Sequence, residues 1–422
     1  MSPRMRRALP VTGLLLGVAM GLANVMGYVF VALVSATLGP ADFGGFSALN
    51  TYGVLLAMPA GAFQVVVARR QTRAHRESGE HVTALTTATV VGIVLALATI
   101  ATAPLLTEIL RLDTGWSVVW MALMLPPMTV TGALQGILLG RESYGRLSTV
   151  YLVTAGSRML AAVGAVGWGF AVHEVFAATF VAAAVTLAVT LVLARGALTS
   201  GRVAPRALAV LEDLVRSNVA LAGLMALSSL DVVLARTVLS DHDSGSYALA
   251  ALFGKVVFWG TQFVALTVVP SVADASGGSQ VRTTLHRSAL AVLGMGAVVA
   301  LGCALVPGPL VALSGGSAFA DAEPLLVWAA GIGTLWAVVQ VWLFAGMSRG
   351  DHVMTAVVWI AAGIQSVLVL LWFNGSPYEV FGTVGGTAAV VALLGLLRVP
   401  KGETTPAPES AETAEALGLT RE

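Results

Sequence analysis

The stretch LPVTGLLLGVAMGLANVMGYVFVALVSA, from Leu9 to Ala36, contains no Asp, Glu, Lys or Arg. A helix needs about 20 mainly apolar residues to cross the hydrocarbon core of a bilayer, and this run exceeds that. It follows Arg4, Arg6 and Arg7, a start that superficially suggests a secretory signal. The apolar part is much longer than the core of a signal, which is about 7–15 residues. It reads as a first membrane helix.

Eleven further runs of the same kind follow: Phe46–Val67, Val82–Leu106, Trp116–Leu139, Val150–Phe170, Val175–Leu193, Val219–Val238, Tyr247–Val272, Ser288–Leu313, Leu325–Met347, Val353–Phe373 and Val380–Leu397. The composition agrees. Of 422 residues, 57% are hydrophobic and 11% charged, against about 25% charged in soluble domains. Mean hydropathy is +0.87. A soluble fold of this length has too little interior to hide so much apolar surface. The net charge of +1 gives no reason to expect a nucleic-acid partner. The one cysteine, Cys303, excludes an intramolecular disulfide and a thiolate metal site, and reads as a packing residue.

Basic residues set the orientation, because cytoplasmic loops retain Lys and Arg. With the N-terminus inside, the inside segments hold Arg4, Arg6, Arg7, Arg69, Arg70, Arg73, Arg76, Arg141, Arg146, Arg195, Arg202, Arg206, Arg216, Arg282, Arg287, Arg349, Arg398 and Lys401. The outside loops hold Arg111, with Arg236 at a helix end. Both termini are therefore expected in the cytoplasm, with an even number of spans. The longest loop, near residues 198–217, carries Leu208-Ala209-Val210-Leu211 beside Glu212, Asp213 and Arg216, which reads as a short amphipathic interfacial helix. It separates an N-terminal lobe (1–197) from a C-terminal lobe (218–398). The Pro-containing polar tail, 399–422, is expected to be disordered.

A shift of 201 positions brings Asp42-Phe43-Gly44-Gly45-Phe46-Ser47 onto Asp243-Ser244-Gly245-Ser246-Tyr247-Ala248. Each segment joins the first two helices of its half. Six helices separate the copies, so the halves are parallel, related by an axis along the membrane normal. The fold class that follows is all-α: a polytopic membrane protein with twelve transmembrane helices in two parallel six-helix lobes around a central cavity. Asp42, Gly44, Asp243 and Gly245 read first as turn and cap residues.

Leu38-Gly39-Pro40-Ala41-Asp42-Phe43-Gly44, followed by Phe46-Ser47-Ala48-Leu49, resembles the first hairpin of polysaccharide flippases of the multidrug/oligosaccharidyl-lipid/polysaccharide exporter superfamily. Pro59-Ala60-Gly61 with Gln64, and Leu230-Asp231-Val232-Val233-Leu234-Ala235-Arg236 with Gly245-Ser246-Tyr247-Ala248 and Lys255, are similar to that family too. The resemblance implies export of a lipid-linked saccharide by alternating access. The major facilitator superfamily also has two parallel halves. Its Gly/Asp/Arg loop motif is missing from Ala68-Arg69-Arg70-Gln71-Thr72-Arg73.

An ionisable side chain at mid-bilayer costs about 2.5–3.5 kcal/mol and normally faces a cavity or a partner. Arg158, Asp231 and Lys255 are placed so. Asp231 and Lys255 are expected at similar depth, each roughly eight residues from the loop between their helices, and able to pair. Such a pair can simply fix helix packing. Alternatively Arg158 and Lys255 form a cationic floor for a diphosphate, with Asp231 tuning Lys255 or serving as a proton or sodium site. Asn24, Tyr28, Gln135 and Gln262, and more weakly Gln340 and Gln365, can bind sugar hydroxyls or merely bond between helices. Pro59 and Pro126-Pro127 are expected to kink their helices.

Enzyme motifs are missing: no Walker A loop, no nucleophile elbow, and six scattered histidines. No cofactor is expected. The favoured reading is a flippase moving an undecaprenyl-diphosphate-type saccharide across the bacterial plasma membrane, for cell-surface polysaccharide biosynthesis. Its partners would be the bilayer, that lipid and polysaccharide-assembly proteins. The alternatives are a cation-coupled multidrug exporter and a non-transporting envelope-assembly scaffold.

Overall fold

The computed structural model describes residues 3–73, 80–198, 207–262, 264, 268, 278–348 and 352–398. The described chain is helical without a strand. Its helices are α1 (Pro3–Leu56), α2 (Met58–Arg73), α3 (Glu80–Ala101), α4 (Ala103–Ile109), α5 (Trp116–Leu123), α6 (Leu125–Gly140), α7 (Tyr144–Trp168) and α8 (Val172–Ala194) in the first half. The second half holds α9 (Ala207–Val238), α10 (Asp241–Gly260), α11 (Gly278–Leu305), α12 (Pro307–Ser314), α13 (Leu326–Ser348), α14 (Val353–Leu371) and α15 (Pro377–Leu397).

Ten helical stretches among the described residues are long and apolar enough to cross a membrane. The first, Leu15–Ala68, covers the first two expected spans. Gly39 (φ 69, ψ 173) breaks α1 between them, a backbone setting open essentially to glycine. The eighth expected span falls on α10, which is outside the ten and carries Asp241, Asp243 and Lys255. Proline explains most other breaks, since it removes a donor and crowds the preceding turn. Pro126-Pro127 separates α5 from α6, Pro59 follows the break at Ala57, Pro104 opens α4 and Pro307 opens α12. The segment expected to hold a separate interfacial helix is helical from Ala207 and runs without interruption to Val238. Residues 199–206 and the tail 399–422 lie outside the described residues.

The two halves repeat one packing scheme. In the first, α1 packs on α7, α2 and α3 on α6, and α8 on both α6 and α7. In the second, α9 packs on α14, α10 and α11 on α13, and α15 on both α13 and α14. Apolar side chains such as Leu160, Val298 and Leu305 point outward along the spans, as a lipid-facing surface requires.

The lobes meet through α1, which packs on α9 and α10. At the end holding the 39–45 and 239–245 turns the contact is close. A Cβ on Gly44 would lie 2.6 Å from Ser244 Oγ, and one on Gly245 would strike the Pro40 carbonyl. The two copies of the repeat therefore face each other. Arg236, 3% exposed, donates to the carbonyls of Leu110 (2.9 Å), Ala41 (3.0 Å) and Arg111 (3.0 Å) and to Ser244 Oγ (3.1 Å). Arg111, itself in a left-handed conformation (φ 47), returns bonds to the carbonyls of Arg236 and Leu239. Both arginines reach Asp241, at 3.1 and 3.2 Å. Phe43 stands edge-on to Phe319 at 5.6 Å, adding an apolar seal between the lobes.

Candidate functional site

Below this seal a cavity of about 360 Å³ lies between the lobes. The N-terminal lobe lends it Asn24 and Tyr28 from α1, Asn50 and Thr51 beyond the Gly39 break, and Arg158 from α7. The C-terminal lobe lends Ser229 from α9, and Lys255 and Trp259 from α10. Four of the residues expected to form a site (Arg158, Lys255, Asn24 and Tyr28) thus share one wall system. No acidic residue lines it.

Each cation is positioned by its helix. Arg158 sits in the middle of α7, which packs on α1. Its guanidinium carbon is 4.7 Å above the ring of Phe30, a cation–π arrangement, and its Nε is sealed without a hydrogen-bond partner. Tyr28 spans the lobes, its hydroxyl donating to the Lys255 carbonyl at 3.0 Å. The Lys255 side chain stays on the cavity wall, close to Trp259, whose indole packs edge-on against Phe258 at 5.2 Å. Two positive groups without an acid on the wall make a chamber suited to negative charge, since unscreened attraction strengthens in a low-dielectric surround.

Asp231 stands elsewhere. It is fully buried and accepts a bond from the Tyr247 hydroxyl at 2.9 Å. No direct ion-pair contact joins it to Lys255, but the two charges lie within electrostatic reach of each other. The expected pairing placed the start of the second helix near Tyr247, whereas α10 begins at Asp241. Lys255 is therefore about 21 Å along its helix axis at 1.5 Å per residue, deeper than Asp231, and Tyr247 takes the level opposite the carboxylate. Tyr247 in turn stacks on Phe381 at 4.1 Å.

Gln135 lines a separate pocket of about 170 Å³ inside the N-terminal lobe, which Arg158 also borders. Gln262 follows the last turn of α10 and is not on the central wall. Gln365 bonds between helices, donating to the Leu227 carbonyl at 3.3 Å and accepting from Thr387 at 2.9 Å. Gln340 is buried in the C-terminal lobe. Asn50, Thr51 and Ser229 were not singled out in the sequence. The signal available was small polar residues interrupting apolar runs, which is also how helix contacts look. Among the described residues no group of three or more His, Cys, Asp or Glu is placed to hold a metal ion.

No family model and no curated protein match the chain by sequence. Solved structures match by shape. The chain is similar to the inward-facing conformation of a multidrug resistance MATE family transporter of the MOP superfamily (TM-score 0.71, 12% identity, covering 94% of this chain and 96% of that one). It is similar to the lipid II flippase MurJ in an inward closed conformation (TM-score 0.71, 10% identity, 92% and 87% covered). It also resembles an outward-facing MATE family transporter (TM-score 0.66, 14% identity, 92% and 94% covered). The chain has the polytopic, all-α fold of the MOP-superfamily transporters.

Proposed function

We propose that the protein is a flippase that carries a lipid-diphosphate-linked saccharide of the undecaprenyl type across the bacterial plasma membrane. Both termini would lie in the cytoplasm, and the protein would work with polysaccharide-assembly proteins. The observation that carries this reading is the wall of the central cavity, which offers Arg158 and Lys255 and no acid. A diphosphate headgroup drawn into the bilayer needs such compensating charge. Asn24, Tyr28, Asn50 and Ser229 supply the hydrogen-bonding groups that sugar hydroxyls use, and Trp259 a face for a ring.

The multidrug alternative asks for an acid to meet a cationic drug, and the cavity wall has none. Asp231, sealed in the C-terminal lobe with one carboxylate oxygen lacking a hydrogen bond, is the group through which a proton or sodium ion would couple to transport.

The test is a proteoliposome assay with fluorescent undecaprenyl diphosphate bearing one N-acetylhexosamine. Hydrogen bonds to charged groups contribute about 1.5–3 kcal/mol each, and 1.4 kcal/mol is about tenfold. R158Q and K255Q are each expected to lower the flipping rate tenfold or more. Unchanged rates in both variants, or transport of a cationic dye in place of the lipid, would remove this reading. Full cellular function of the double variant would favour the scaffold.

A further inference from the structure

We infer that the small pocket inside the N-terminal lobe binds a small inorganic anion of halide size, held by the guanidinium of Arg158 that also borders the central cavity. The pocket, about 170 Å³, is walled by Thr131, Gln135, Thr154, Arg158, Thr179 and Thr186, with methionine and alanine between them. Two of its polar atoms make no hydrogen bond. Thr131 Oγ1 and Arg158 Nε are sealed from the surface and have no hydrogen-bond partner. By contrast Thr154 and Thr179 already donate to the carbonyls of Val150 (2.8 Å) and Phe176 (2.9 Å). The two unpartnered atoms belong to residues of α6 and α7 that wall the chamber.

No Asp or Glu lines either chamber that Arg158 borders. Buried charge of one sign calls for charge of the other. The ring of Phe30 returns only part of the lost hydration. Water can satisfy a donor but cannot neutralise it. Liquid water occupies about 30 Å³ per molecule, so the pocket has room for a halide with a few waters. It is too small for a sugar diphosphate.

One consequence rests on the proposed function. An anion beside Arg158 lowers the positive potential that the central cavity offers a lipid diphosphate, so filling the small pocket favours release of that headgroup.

The probe is chloride. The purified full-length protein is melted in detergent while sodium chloride replaces sodium gluconate at constant ionic strength; gluconate exceeds the pocket. A saturable rise in melting temperature with chloride is expected. T131V, Q135L and R158Q are each expected to shift the half-saturating chloride concentration tenfold or more. T89V, whose hydroxyl bonds only its own helix at Leu85, keeps the wild-type response. Equal melting in the two salts, or an identical chloride response in T131V and Q135L, overturns the site and leaves water in the pocket. Binding of undecaprenyl diphosphate in gluconate separates the two ideas. A chloride response without lipid binding upholds the anion site and removes the flippase reading. Lipid binding without a chloride response does the reverse.

Discussion

Arg236 shows how much one side chain can organise. In the sequence it is an exception, a basic residue on the expected outer side. In the fold it is 3% exposed and gathers three carbonyls from the opposite lobe. Truncation would strand those acceptors and remove the charge that Asp241 meets. Hydrogen bonds to a charged group contribute about 1.5–3 kcal/mol each. R236A is therefore expected to lower the melting temperature clearly, and R236K to recover little of it, because an ammonium lacks the planar fork. A variant that melts like wild type would show that the seal carries no stability. Arg158 and Lys255 were legible as cavity residues because a charge amid apolar residues has few other outlets. Arg236 was not, because the three carbonyls it holds lie more than a hundred residues away in the chain. Asp231 and Lys255 are electrostatic neighbours without direct contact, because their levels depend on where α10 begins, and Asp241-His242-Asp243 reads as loop until Ser240 is seen capping it at Asp243 N, 3.1 Å.

At the level of helices, the apolar runs were legible as helices though not at all their ends, and the breaks at Pro59 and Pro126-Pro127 fell where proline forces them. Which helices touch was not legible, since the glycines that permit contact look like every other glycine in an apolar run. Gly254 and Gly333 mark where α10 crosses α13. A Cβ on Gly333 would meet the Gly254 backbone carbonyl, whereas one on Gly331, two residues earlier, would meet nothing within 4 Å. Backbone cannot yield as a side-chain tip can, and overpacking costs about 1–3 kcal/mol. G333A is expected to reduce the yield of monodisperse protein and its melting temperature, and G331A to leave both unchanged. Equal behaviour of the pair would mean that the crossing has slack.

Across the whole molecule, the repeated packing scheme makes each lobe a unit, and the contacts between lobes decide which end of the central cavity is shut. At the end of the Gly39 and Ser240 turns the lobes are joined by the Arg236 and Arg111 bonds and by the two repeat segments lying face to face. In the proposed transport cycle, passage of a headgroup through that end would require them to part. A Cβ at position 44 would lie 2.6 Å from Ser244 Oγ, so thiols at the two positions would meet. G44C combined with S244C is expected to cross-link under mild oxidant. The native thiol, Cys303, is buried and far along α11, so each single-cysteine variant serves as a background. Cross-linking should cut lipid flipping at least tenfold, and a reductant should restore it. Binding of lipid from the opposite side should survive, because the cavity wall is untouched. Full transport by the cross-linked protein would mean that substrate never passes between the two repeat segments, and that the seal is a fixed joint around which the remaining helices move.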